Sequence, residues 1–196
     1  MSTLFHHNLQ QHLELFNRLS GLEETILAAA ATISDSLRRG GKLMICGNGG
    51  SAADSQHIAA EFTGRFIDDR RPLAAMALST DSSALTCIGN DYDFSRIFSR
   101  QVSALARPGD CLLGISTSGN SENIVQAIQT AHEMGLHTIG LLGRDGGRLG
   151  TLCNRCIIVP SQITARIQEA HILIGHTICG AVEQALGLAP LHGRVS

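Results

Sequence analysis

Cys111-Leu112-Leu113-Gly114-Ile115-Ser116-Thr117-Ser118-Gly119-Asn120-Ser121 is the stretch on which the reading of this chain turns. An apolar run ends in a loop carrying four hydroxyl residues and a glycine, and the helical pattern Asn123-Ile124-Val125-Gln126-Ala127-Ile128 follows. Strand, polar loop, helix is an order that suits an anion. The hydroxyls donate hydrogen bonds, Gly119 lets the backbone approach, and the helix N-terminus adds free N–H groups and a positive dipole end. A helix N-cap needs only one of these serines, so the loop holds more hydroxyls than capping explains.

Outward from that loop the same unit repeats. Leu43-Met44-Ile45-Cys46 reads as a strand, then comes the loop Gly47-Asn48-Gly49-Gly50-Ser51 and a helix over 52–66. Further strands are expected at 73–78, 137–142 and 156–159. Helices are expected at 81–88, ending at Gly89-Asn90-Asp91, and at 94–106, 121–134 and 164–186. Phe5, Leu9, Leu13, Phe16 and Leu19 recur at helical spacing, giving an N-terminal helix over 3–19, and a second covers 22–39. Strands that are apolar throughout, alternating with helices, predict an α/β fold: a three-layer αβα sandwich around a parallel sheet, preceded by N-terminal helices. The expected organisation is one domain over 1–196, with helices at 1–40, the α/β core at 41–187 and a tail at 188–196.

Composition narrows the function. The formal charge is −2 with no basic run, which disfavours nucleic acid as a primary partner. No apolar run approaches the roughly 20 residues of a membrane helix, and the first residues do not resemble a signal peptide. Six cysteines in a long, core-rich chain are expected as reduced thiols in a cytoplasmic protein. The lone Cys153-x-x-Cys156 pair is read as incidental. Fourteen of the fifteen basic residues are arginine; the only lysine, Lys42, precedes the first strand, at the sheet end away from ligand-binding loops. That position disfavours Schiff-base chemistry.

Both polar loops, 47–51 with Asn48, Gly49, Gly50 and Ser51, and 116–121, would lie at the C-terminal edge of a parallel sheet, where ligands bind. Gly47-x-Gly49-x-x-Ala52 also meets a loose dinucleotide fingerprint. That fingerprint wants an acidic residue about 20 positions on, and Asp81 comes too late. A small phosphorylated ligand held by two loops fits better. On the helix after the first loop, His57 and Glu61 share a face. The last helix offers Gln168 and His176, about 80° apart around its axis. Each helix alone has a plain alternative, a surface His–Glu pair or a half-buried histidine, and the sequence does not show that the helices meet. If they do, the set suits zinc or a similar divalent metal. His171, nearer the apolar stripe, is read as structural, and His6, His7 and His12 as part of a solvated helix face.

Taken together, the loops Cys46–Ser51 and Ile115–Ser121, with Gln56-His57-Ile58-Ala59-Ala60-Glu61-Phe62, Gly89-Asn90-Asp91 and Ala165-Arg166-Ile167-Gln168-Glu169-x-His171, resemble the sugar-isomerase (SIS) domain family. More narrowly, over about 41–186, they resemble its bacterial phosphoheptose isomerases. The resemblance implies a five-stranded parallel sheet and a homotetramer with active sites at subunit contacts. It implies aldose–ketose isomerisation of sedoheptulose 7-phosphate, which opens the supply of heptose for lipopolysaccharide. It places substrate on Asn48, Gly49, Gly50, Ser51, Glu61, Asn90, Asp91, Ser116, Thr117, Ser118, Ser121 and Gln168, and one zinc ion per subunit on His57, Glu61, Gln168 and His176. Glu61 and His176 are expected to be the acid/base pair. The rival is a non-catalytic SIS module that senses a phosphosugar or regulates replication initiation. Such a module has no need of Glu61 and His176.

Overall fold

The computed structural model describes residues 3–189, so the expected tail beyond position 189 lies outside the described residues. Five strands, β1 (Leu43–Gly47), β2 (Ala75–Ala77), β3 (Cys111–Ser116), β4 (His137–Gly143) and β5 (Arg155–Val159), form one all-parallel sheet in the order β2-β1-β3-β4-β5. The expected α/β sandwich and five-stranded parallel sheet are what the chain forms. Alternation along the strands divides the core. Leu43, Ile45 and Leu113 face one layer of helices, and Met44, Cys46 and Leu112 face the other.

The first layer holds α1 (Leu4–Phe16), α2 (Glu23–Arg38), α3 (Gly50–Thr63) and the long α8 (Thr164–Ala185). The second holds α4 (Ser82–Asp91), α5 (Ser99–Leu105), α6 (Glu122–Glu133) and the one-turn α7 (Leu149–Leu152). Helices α3 and α8 follow strands at different places in the sheet, yet they pack together on the same face. Among the described residues no helix is long and apolar enough to cross a membrane.

Chain order reverses between β1 and β3: β2 lies outside β1, and β3, β4 and β5 run the other way. Pairing of Gly47 with Ile115 brings the two polar loops to neighbouring strand ends at this switch point. At the opposite edge, buried Asp110 accepts from the backbone N–H groups of Lys42 (2.9 Å) and Arg107 (2.8 Å) and pairs with the Lys42 ammonium. The sole lysine therefore locks β1 to β3, far from the loops.

Several local expectations change. Among the described residues the core does not cover the apolar stripe of α1: Leu4, Phe5, Leu9 and Leu13 are exposed, and Leu15 is the buried residue of that helix. His12 is only partly exposed; its Nδ1 lies 2.8 Å from Glu169 of α8 and its ring stacks on Phe16. The single helix expected over 94–106 is a 3-10 turn (Phe94–Arg96) followed by α5, because the Asp93 side chain accepts from Ser95 N–H and starts a separate turn. Gly89, Asn90 and Asp91 continue the last turn of α4 instead of ending it. Strand β2 is shorter than expected because the N–H of Leu73 turns to the Phe62 carbonyl at the end of α3.

His171, expected to be structural, is fully buried, with Nε2 3.1 Å from the Leu142 carbonyl of β4. Burial pushes its pKa down to about 4. The unfolded chain takes up that proton near its ordinary value of about 6.5. Stability from this group is therefore complete above about pH 6.5 and declines as pH falls toward the folded pKa. In urea unfolding, the native chain should lose about 2 kcal/mol more than a His171→Gln variant between pH 7 and pH 5. Equal losses would show that His171 does not titrate this way.

Candidate active site

Loop 116–121 closes on itself through its hydroxyls. Ser116 Oγ lies 3.0 Å from Ser121 Oγ and 3.5 Å from Ser118 Oγ, and it accepts from Gly119 N–H at 3.1 Å. Ser118 Oγ accepts from Asn120 N–H at 3.2 Å. Ser121 precedes α6, but its side chain makes no capping hydrogen bond to the helix. The hydroxyls are thus gathered on each other at a helix N-terminus, which is the arrangement an anion needs.

The two loops are joined by a contact the sequence did not reveal. Asn48 Nδ2 donates to Asn123 Oδ1 at 2.9 Å, and Asn123 Nδ2 returns a bond to Asn48 Oδ1 at 2.8 Å. Asn123 is almost fully buried in the first turn of α6. Only its amide chemistry beside Ser121 could have marked it. Next to this pair lies a cavity of about 490 Å³, walled by Asn48, Ser121, Asn123, Phe94 and Ser95. The turn Phe94–Arg96 therefore faces the loops across this space.

The second element of the site is the α3–α8 contact. His57 Nε2 lies 3.2 Å from Glu61 Oε1, one turn further along α3. Across the helix pair, His176 Nε2 lies 3.0 Å from His57 Nε2. Donor atoms of all three residues lie within 4.8 Å of one another. Gly175 makes this possible, because a Cβ there would sit 2.7 Å from Ile58 Cδ1. The residue after Gly175 and the residue before Ile58 are the two histidines, so close backbone approach carries the rings together. The ring of Phe66, another residue the sequence did not mark, lies against His176 with centroids 5.4 Å apart.

This group fits a divalent metal. Two imidazoles and a carboxylate are a recurrent zinc set, and bonds of about 2.0–2.1 Å in tetrahedral geometry leave neighbouring donors roughly 3.3 Å apart. The observed separations of 3.0 and 3.2 Å are close to that. Asp54, one turn before His57, has a buried Oδ2 without a hydrogen-bond partner. Burial raises its carboxyl pKa, and the nearby His57 opposes that shift.

Other expected residues sit elsewhere. Gln168 packs on the first loop: a Cβ at Gly50 would lie 2.2 Å from its Nε2. Gly50 is seven residues before His57, so about 10 Å of helix rise separates this contact from the histidine pair. Within one chain the Gln168 amide lies at the loop, while His57, Glu61 and His176 form the three-residue group. Ser51 is buried in the first turn of α3, where its carbonyl accepts from Ser55 Oγ at 2.7 Å. Asn90 and Asp91 are exposed on α4 and bond to each other at 2.8 Å, which holds the Asp91 carboxyl below its usual range. All six cysteines are free thiols.

Comparison with known proteins identifies the family. The SIS domain family matches residues 7–143, beginning earlier than the expected resemblance. The phosphoheptose isomerase of Rhodospirillum rubrum is 54% identical over 90% of this chain and 94% of its own length. That of Trichlorobacter lovleyi is 49% identical over 99% of this chain and 100% of its own. Among solved structures, the phosphoheptose isomerase of Neisseria gonorrhoeae superposes with a TM-score of 0.84 at 46% identity, covering 93% of this chain and 100% of that one. The Vibrio vulnificus NanR protein complexed with ManNAc-6P shares the fold at 12% identity, a TM-score of 0.65 and coverage of 91% of this chain and 62% of that one. Relatives half identical over nearly the whole chain, together with the family match, establish that this chain belongs to the SIS-domain family, among its phosphoheptose isomerases.

Proposed function

We propose that this chain interconverts D-sedoheptulose 7-phosphate and D-glycero-D-manno-heptose 7-phosphate through an enediol, at the start of heptose supply for lipopolysaccharide. The observation that carries the reading is the convergence of His57, Glu61 and His176 on one point. The SIS fold alone does not decide, because function belongs to the site and not to the fold; the grouping of these three side chains supports the isomerase. A regulator has no use for a carboxylate and two imidazoles brought within 4.8 Å of one another on a helix pair.

The phosphate is assigned to Ser116, Thr117, Ser118 and Ser121 with the N-terminus of α6, and the sugar to Asn48, Gly49, Gly50, Ser51 and Gln168. Anchoring the far end holds the reacting carbons in place and removes entropy from the chemical step. Glu61 takes the proton from C1 of the ketose while the Nδ1–H of His176, whose Nε2 faces His57, protonates O2, giving the enediol. Return of a proton to C2 and loss of the O1 proton complete the aldose, so atoms and charge balance. Oε1 of Glu61 faces His57, and the carbon-bound proton goes to Oε2. Zinc, held by His57, Glu61 and His176, would polarise the sugar oxygens as a Lewis acid. Gln168 serves here as a substrate contact at the Gly50 loop.

The assembly proposed is a homotetramer with active sites at subunit contacts. The apolar residues left exposed on α1, with Leu27 of α2 and Leu173 of α8, support burial against further copies. Asn90 and Asp91, which face solvent in the single chain, would then meet substrate bound by a neighbour. Sedimentation showing only monomer at micromolar concentration would remove this part.

Glu61→Gln and His176→Gln should each lower kcat on sedoheptulose 7-phosphate by about 100-fold or more. Near-native turnover in both would exclude the assignment. Chelation should abolish turnover and added zinc should restore it. A native chain that binds the sugar phosphate but never turns it over would instead favour the regulator.

A further inference from the structure

Arg70 and Glu183 form an ion pair whose side chains are only 3% and 2% exposed. Arg70 Nε donates to Glu183 Oε1 at 2.7 Å. The other guanidinium nitrogens spread over the end of α3 and the segment that follows it: Nη2 donates to the Glu61 carbonyl at 2.7 Å, and Nη1 to the carbonyls of Phe62 (2.8 Å), Gly64 (2.9 Å) and Arg71 (3.0 Å). The last carbonyls of a helix lack partners within it and form its negative end, so a planar cation with several donors is suited to them. Glu183 Oε1 also accepts from Phe66 N–H at 3.2 Å. Phe66 is the residue whose ring lies against His176, and its ring edge also fits against Gly180 of α8.

One buried pair therefore touches both halves of the proposed chemistry. Arg70 holds the backbone of Glu61 in the last turn of α3. Glu183, one element away, seats Phe66 on His176. A buried ion pair is weak evidence for stability, since desolvation offsets most of its attraction and an apolar pair of similar size often serves as well. Its value lies in geometry: several charge-assisted bonds of fixed direction where α3, the 64–73 segment and α8 meet.

We infer that Arg70, through the Glu61 carbonyl, and Glu183, through Phe66, are positioning residues that set the distance and orientation between Glu61 and His176. This inference rests on the isomerase reading for its effect on turnover, though its effect on metal binding does not.

Arg70→Lys, Glu183→Gln and Phe66→Leu test it. Lysine keeps the charge but presents a single ammonium, which cannot reach the carbonyls and Glu183 in the same fork. At saturating zinc each variant should lose about 10- to 100-fold in kcat, and zinc affinity, read by competition with a chromophoric chelator, should fall by a similar factor. KM should stay within about twofold, because the loop that anchors the substrate is separate. Native kcat and native zinc affinity in folded Arg70→Lys and Phe66→Leu would overturn the inference, as would a rise in KM with kcat unchanged. If Arg70→Lys does not fold, Phe66→Leu, which alters neither charge, decides by the same readouts. A native chain without isomerase activity whose zinc affinity still depends on Phe66 would refute the function while leaving the inference standing.

Discussion

The close packing of α3 on α8 is the contact on which the rest of the site depends. It is made at three levels along the helix pair. Near the start of α3, Gly50 leaves room for the Gln168 amide; midway, Gly175 admits Ile58; at the end, Arg70 and Glu183 join the two elements. Burying a side chain such as Ile58 or Phe62 is worth about 1.5–3 kcal/mol, so the contact is held mainly by apolar burial. Polar bonds then set its register. The histidine pair is a by-product of that packing: two imidazole nitrogens at 3.0 Å, next to the glycine and isoleucine that interlock.

The sheet supplies the other half. Reversal of strand order between β1 and β3 brings two small polar loops side by side, and the reciprocal Asn48–Asn123 amide bonds join them. A site with a loop anchor and a helix-borne reacting group divides the work in a way that suits an extended sugar phosphate. The anchor can hold one end while the groups that move protons stand on the α3–α8 helix pair.

Much of this was legible in the sequence because it is written in short-range pattern. Strand–loop–helix units show as apolar runs punctuated by glycine and serine, and His57 and Glu61 share a face by spacing alone. Contacts between elements far apart in the chain were not legible. Nothing local to Ile163–Leu186 tells that Gly175 meets Ile58, or that the long Gln168 side chain turns to Gly50. The periodicity of Phe5, Leu9 and Leu13 correctly marked a helix, but periodicity does not say what covers its apolar side, and among the described residues the core does not. Arg70 escaped notice because its carbonyl partners are backbone groups without a sequence signature. Likewise, Asp93 broke an expected helix through a single side-chain bond to Ser95.

The most direct measurement is the zinc content and turnover of a Gly175→Val variant. A branched side chain at that position meets Ile58 and forces α3 away from α8. The expected variant is a folded protein that still binds inorganic phosphate at the Ser116–Ser121 loop but has lost both zinc and isomerase activity. A folded Gly175→Val protein with native zinc content and native turnover would contradict the proposed site.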